Sequence, residues 1–251
     1  MWDWKEPLRR LKHGRWVDQR RFYEVWEQTH LKKLLAALQV DCVFDVGANQ
    51  GQYARMLRQQ AGYRGRIVSF EPIPEAAAAV RRLAQGDPLW QVEELALSDT
   101  TGEQIFNIMA DTQFSSLSAP RHDDVQGFER DNRVQRQVPV RTETVLEALA
   151  RLQAALGFQR PFLKLDTQGM DVRIVSAAGR QGLQRFVGMQ SELAVRKLYD
   201  NSVDYRDALR TYEDLGFELS AFVPNNAGHF PRLVEIDCIL VRADLMPARA
   251  M

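Results

Sequence analysis

Asp45-Val46-Gly47-Ala48-Asn49-Gln50-Gly51 sets a carboxylate beside two glycines and an alanine, between an apolar run and a helical pattern. A turn of these small residues lets the chain reverse tightly and brings backbone N–H groups up to a ligand at the following helix N-terminus. Asn49 also tolerates the left-handed conformation better than most residues. Glu71 closes the next apolar run, about 20 residues on, where an acid in a doubly wound fold accepts hydrogen bonds from ribose hydroxyls. The G-x-G-x-x-G spacing that admits a pyrophosphate is absent. Asp45 is placed to accept from an α-ammonium group, which S-adenosylmethionine (SAM) has and NAD lacks. The turn and Glu71 together therefore predict SAM.

The elements that must hold these residues alternate along the chain, as in a parallel sheet with crossover helices. Strands are expected at residues 43–46, 66–70, 92–97, 162–165 and 186–192, and an extra pair at 103–109 and 136–140. Helices are expected at 52–60, 74–83, 144–156, 170–178, where Gly179 stops the pattern, and 205–215, ended by Gly216. A mobile polar loop is expected over 110–133, and residues 217–222 and 235–241 read as a final antiparallel hairpin. Ahead of them, residues 1–40 read as an N-terminal helical extension to one domain over 41–251. Phe22, Trp26, Leu31, Leu34 and Leu35 recur there at amphipathic spacing. Trp2 and Trp4 with Arg9, Arg10 and Lys12 allow contact with a membrane surface or an acceptor, although packing on the core is the favoured reading.

Composition narrows the function classes. The 251 residues carry 33 Lys and Arg against 33 Asp and Glu, so no global field attracts nucleic acid or an anionic membrane. Cys42 and Cys238 each sit in an apolar run, which suits reduced thiols in a core and a cytoplasmic location. No apolar stretch approaches the roughly 20 residues that span a bilayer. No His or Cys spacing suggests zinc.

The residues match a wider pattern. Alongside the Asp45 to Ala54 block stand Phe70-Glu71-Pro72, Ala96-Leu97-Ser98-Asp99, Ser115-Ser116-Leu117, Lys164-Leu165-Asp166-Thr167-Gln168-Gly169, Glu192, Leu215-Gly216-Phe217, and a last strand from Ile236 to Arg242. In these the chain resembles the FkbM family of SAM-dependent methyltransferases. The resemblance implies an α/β, Rossmann-like class I methyltransferase fold: a seven-stranded, mostly parallel sheet with an antiparallel last strand. It implies O-methylation of a hydroxyl on a sugar, glycolipid, glycan or polyketide-type product. It also implies SAM contacts at Asp45, Gly47, Asn49, Gly51 and Glu71, with Leu97, Ser98 and Asp99 near the adenine, and raises Ser116 above an ordinary loop serine. The chain departs from the pattern at Gln168, where the family often has a glutamate, and at Leu193-Ala194-Val195, where some members carry a histidine.

An alcohol is a poor nucleophile, so methyl transfer to one calls for a general base, or a metal, near the carboxyl ends of the strands. Asp166, after the fourth strand, is the first choice of base; Glu192, Asp237 and His229 are the others. A Mg²⁺-type oxygen site would fit if two of these carboxylates converge. The partner expected is a small-molecule or glycan acceptor. Alternatives are an acceptor of another class, such as a protein or small amine, and a SAM-binding protein without catalysis.

Overall fold

A computed structural model describes residues 22–125, 127–224 and 232–246. The expectations for Trp2, Trp4, Arg9, Arg10, Lys12 and His229 lie outside the described residues. In chain order the strands are β1 (Cys42–Val46), β2 (Arg66–Phe70), β3 (Trp90–Glu93), β4 (Ala96–Ser98), β5 (Gly102–Met109), β6 (Val134–Thr144), β7 (Pro161–Leu165), β8 (Gly188–Ala194), β9 (Phe217–Pro224) and β10 (Glu235–Arg242). The helices are α1 (Phe22–Ala37), α2 (Gln52–Met56), α3 (Pro74–Ala84), α4 (Val145–Leu156), α5 (Asp171–Leu183) and α6 (Tyr205–Asp214). Seven strands form one sheet in the order β3-β2-β1-β7-β8-β10-β9, and β4-β6-β5 form a second. Neighbours from β3 to β8 are parallel, while β10 runs antiparallel to both β8 and β9. This is the α/β sheet that the resemblance implied.

Every residue of β1 and β7 is buried, as expected of central parallel strands with helices over both faces. On one face Phe44, Leu163 and Leu165 pack with Leu149 of α4 and Ile174 and Val175 of α5. On the other, Val43, Ile67 and Phe162 pack with Leu31 and Leu35 of α1. Leu31 and Leu35 of the apolar stripe are thus buried in the core of the sheet domain, with Trp26 and Leu34 packed against it. Among the described residues no helix is long and apolar enough to cross a membrane. Cys42 and Cys238 are free thiols, both buried.

Three expectations are corrected. The single strand over 92–97 is two: the chain leaves the main sheet after Glu93 and re-enters the small one at Ala96, sending Leu95 and Leu97 into the core. The helix over 52–60 is α-helical only to Met56 and continues as a π turn, Leu57–Ala61, closed by Gly62 at φ 72°. As expected, Gly179 stops the helical path, at φ 64°, ψ 171°, and a further helical stretch follows to Leu183. The stretch over 110–133 is anchored at its described residues: the Phe114 and Phe128 rings meet at a tilt, 5.9 Å between centres, and pack, with Val125, against buried Leu198 and Tyr199.

Candidate active site

The turn after β1 is shaped by a close approach. Gly47 has φ 76°, and a Cβ there would stand 1.9 Å from the Asp166 carbonyl oxygen, so only glycine lets the two chain reversals touch. The N–H groups of Gly47 and Ala48 both donate to Phe70 O at 3.1 Å. Asn49, left-handed at φ 45°, donates its N–H to Glu71 Oε2 at 2.7 Å, and Ile73 N–H donates to Oε1 at 2.9 Å. Glu71 is thereby fixed in the wall of a cavity of about 460 Å³, within the roughly 300–1,000 Å³ typical of small-molecule sites. Burial pushes its carboxyl up to about 7 against the two N–H bonds that favour the anion. Beside Glu71 the wall is apolar, formed by Ile73, Ala96, Leu97, Phe106 and Met170. The N–H groups of the turn are not left for a ligand as expected, because those of Gly47 to Gly51 all donate within the protein; the tight reversal, the oriented carboxylate and the apolar slot remain, and these fit a nucleoside with an amino-acid tail such as SAM.

The structure divides the expected cofactor contacts. Gly47, Asn49, Glu71 and Leu97 line the cavity, whereas Asp45, Gly51, Ser98, Asp99 and Ser116 do not. Asp45 lies beneath it, fully buried, accepting from Ser69 Oγ at 2.9 Å, with Oδ1 at 3.8 Å from Lys164 Nζ and without a hydrogen bond. Gly51 begins α2 in the left-handed conformation. Ser98 Oγ donates to Asp99, and Asp99 pairs with Arg173. Ser116 Oγ donates to Gln168 O at 2.7 Å, strapping the loop after β5 to the turn after β7, and it is Ser115 that faces the cavity.

Beyond the turn the wall becomes charged. Ser69, Asp45, Lys164 and Gln190 are register neighbours on β2, β1, β7 and β8 and form a polar row across the sheet. Lys164 Nζ stands 3.2 Å from Asp166 Oδ2 and 5.3 Å from the centre of the Tyr53 ring. Gln190 Nε2 donates to Asp237 Oδ2 at 3.0 Å and to Glu27 Oε1 at 2.8 Å, while Tyr53 OH donates to Gln190 Oε1 at 3.0 Å. α1 therefore supplies part of the site. Gln168, held at φ 54°, spans the two foremost base candidates: Nε2 donates to Asp166 Oδ1 at 2.8 Å and to Glu192 Oε2 at 3.1 Å. Its Oε1 accepts from Tyr199 OH at 2.7 Å. Asp171 is the structural acid here, accepting from Thr167 N–H, Ser191 Oγ and Glu192 N–H.

Asp166, Glu192 and Asp237 thus converge on one cavity, joined by Glu235 and Glu27. Burial raises Glu192 and Asp237 well above the carboxylate range, and their acidic neighbours reinforce it, with Gln190 and Lys164 opposing it in part at Asp237. Glu235 is pushed up to about 8 by burial, then by Asp166 and Asp171. Burial disfavours the Lys164 ammonium, yet Asp166, Asp45 and Asp237 outweigh this and hold it protonated. Among the described residues no group of three or more His, Cys, Asp or Glu is arranged to hold a metal ion. His122 is exposed and outside the cavity.

Sequence reading assigned no role to Glu27, Tyr53, Lys164, Gln190 or Glu235. One signal was present: polar residues at alternate positions of otherwise apolar strands, Gln190 and Glu192 on β8, Glu235 and Asp237 on β10, place charge on one face. Glu27 had no such signal, because its partner Gln190 is 163 residues away.

Several solved methyltransferase structures resemble the chain distantly. Fibrillarin from Aeropyrum pernix, with SAM natively bound, is 15% identical over 85% of this chain and 76% of its own, at a TM-score of 0.45. Magnesium protoporphyrin IX methyltransferase from Synechocystis is 9% identical over 94% and 91%, at 0.44. Precorrin-6y C5,15-methyltransferase from Geobacter metallireducens is 14% identical over 84% and 87%, at 0.41. No curated protein sequence matches the chain. The profile of the methyltransferase FkbM domain matches residues 45–219, from the Asp45 turn through β8 and into β9. With that match over most of its length, the chain belongs to the FkbM family of SAM-dependent methyltransferases.

Proposed function

We propose that this methyltransferase methylates a hydroxyl oxygen of a sugar, glycan, glycolipid or polyketide-type acceptor. One observation carries the reading: Asp166, just after β7, and Glu192, on the adjacent β8, bridged by one Gln168 amide, form a carboxylate pair beside the cofactor turn. SAM, when bound, supplies an electrophilic methyl group on a sulfonium. Asn49 and Glu71 would hold its ribose, Leu97 and Ile73 would flank its adenine, and the Gly47 reversal would admit its amino-acid tail.

The chain's own residues then have to align the hydroxyl and take its proton. Glu192 is the better base of the pair. Burial raises its affinity for a proton, whereas the Asp166 side chain is 41% exposed and already accepts from Lys164 and Gln168. Asp166 orients the hydroxyl, and Glu192 receives the proton on a carboxylate oxygen. Asp45 positions Lys164 from below, and Lys164 in turn fixes Asp166.

The test is release of S-adenosylhomocysteine (SAH) over a panel of hydroxylated, amine and peptide acceptors, with the methylated atom identified in the product. Methyl found on oxygen of a glycan-like or polyketide acceptor is the expected result. Turnover confined to amines or peptides would sink the reading.

A further inference from the structure

Asp237 and Glu192 stand directly opposite each other on β10 and β8, with Glu235 two residues along on the same face. Like charges directly opposite in an antiparallel pair destabilise a sheet. Lys164, the only cation among the described residues lining the cavity, is engaged by Asp166 at 3.2 Å and Asp45 at 3.8 Å. Asp237 receives an N–H from Gln190, and Glu192 receives one from Gln168. Glu235, only 8% exposed and facing the cavity, accepts no hydrogen bond from any described residue. A buried carboxylate without a donor is unfavourable, and one in a cavity wall finds its donor in a ligand.

We propose that the acceptor carries a protonated amine that seats among Glu192, Glu235 and Asp237, as in an amino sugar or another amine-bearing polyol. This rests on the hydroxyl-methylation reading and narrows its substrate class. An ammonium presents three N–H donors and no acceptor, which matches a site of three carboxylates. While it keeps its protons it has no lone pair with which to attack, so it anchors the acceptor and leaves a neighbouring hydroxyl to be methylated. The cation meant here is not SAM's own. β10 is three strands from β1, about 14 Å at the usual strand spacing, and the cofactor's slot extends the other way, toward Glu71 just after β2. Glu235 faces Asp237 on its own strand, Glu192 on β8, Asp166 after β7 and Asp171 of α5, with Lys164 the nearest cation of the row. Burial and these acids favour the protonated form, so a bound ammonium drives protons off.

Calorimetry on the SAH-saturated enzyme at pH 7, with glucosamine and glucose as paired probes, tests this. Glucosamine should bind at least tenfold tighter than glucose and release protons, seen as a heat that changes with the ionisation enthalpy of the buffer. Glu235→Gln, an uncharged isostere, should abolish that preference and leave SAM and SAH affinities unchanged. Equal binding of the two probes, binding of neither, or a preference that survives the substitution overturns the amine site. A loss of SAM but not SAH affinity in Glu235→Gln overturns it too, since the cluster would then serve the sulfonium. The methylated atom separates the two readings. Methyl on nitrogen overturns both hydroxyl methylation and the anchoring role, whereas methyl on oxygen without any amine preference overturns the amine site alone.

Discussion

At the β1 end of the cavity a ligand meets backbone: the reversal at Gly47, the left-handed Asn49, and a Glu71 carboxylate fixed by two N–H groups. At the β8–β10 end it meets side chains, chiefly carboxylates delivered by α1, the turn after β7, β8 and β10. The first region is set by what a short stretch of chain can do sterically, so it tolerates few residue types. The second is set by carboxyl groups whose burial and mutual proximity favour the protonated form in the empty site, so uncharged isosteres are expected to be tolerated there. Substitutions in the two regions should therefore fail differently.

The largest effect is expected in the side-chain region. Glu192→Gln removes the base while keeping shape and the Gln168 contact, and kcat should fall by about 10²–10⁴. SAM affinity, measured by calorimetry, should stay within about tenfold. Asp166→Ala should lower turnover less, through lost alignment. Full turnover in both variants would remove the carboxylate pair from the mechanism.

Gly47→Ala probes the backbone region and should damage binding and folding together. The new Cβ would require both a left-handed alanine and a shift of the Asp166 carbonyl from 1.9 Å. A loss of about 3 kcal/mol in urea unfolding and of about 100-fold in SAM affinity is expected. A stable variant with weakened binding alone would mean that the two reversals can separate, and the contrast between the regions would lose its steric basis.

The carboxylate cluster also predicts how stability depends on pH. Glu71 and Glu235, near 4.5 when unfolded, are pushed up to about 7 and about 8 in the folded protein, and Glu192 and Asp237 are raised as well. The folded state therefore binds more protons than the unfolded one between these values. Their contribution is fully present below about pH 4.5 and is lost as pH rises through 7 and 8. His30, lowered by burial, works in the opposite direction but is a single group. The urea midpoint should fall between pH 5.5 and 8.5, and Glu235→Gln should recover about 2 kcal/mol at pH 8.5. A midpoint that rises over this range would show that the acids are compensated within the protein.

The same contrast explains what the sequence disclosed. Gly47, Asn49 and Glu71 were legible because a tight turn and the end of the next strand are local matters, fixed within about 20 residues. Asp166 and Glu192 were legible as carboxylates at strand ends, but the Gln168 amide that joins them depends on a left-handed glutamine that nothing in its neighbourhood announces. Glu27 and Gln190 meet only once α1 has packed on the sheet, and Glu235 is significant only because no described residue donates to it. Strand 92–97 was misread because alternation continues through Glu94 and Leu95 while the chain passes from one sheet to the other.

The smallest expected effect sharpens the boundary of the backbone region. The block Leu97-Ser98-Asp99 alternates in direction, and only Leu97 reaches the cavity; Asp99 turns outward to Arg173, a pair partly open to solvent. Asp99→Asn should change SAM affinity less than twofold, since a solvent-screened pair contributes at most about 1 kcal/mol and touches no ligand. Leu97→Ala removes apolar wall beside the slot and should cost about tenfold in affinity, near 1.4 kcal/mol. Calorimetric titration of both variants with SAM decides the matter. Should Asp99→Asn prove the more damaging, the acid must reorient toward the ligand, and the apolar slot beside Glu71 would not be where the adenine lies.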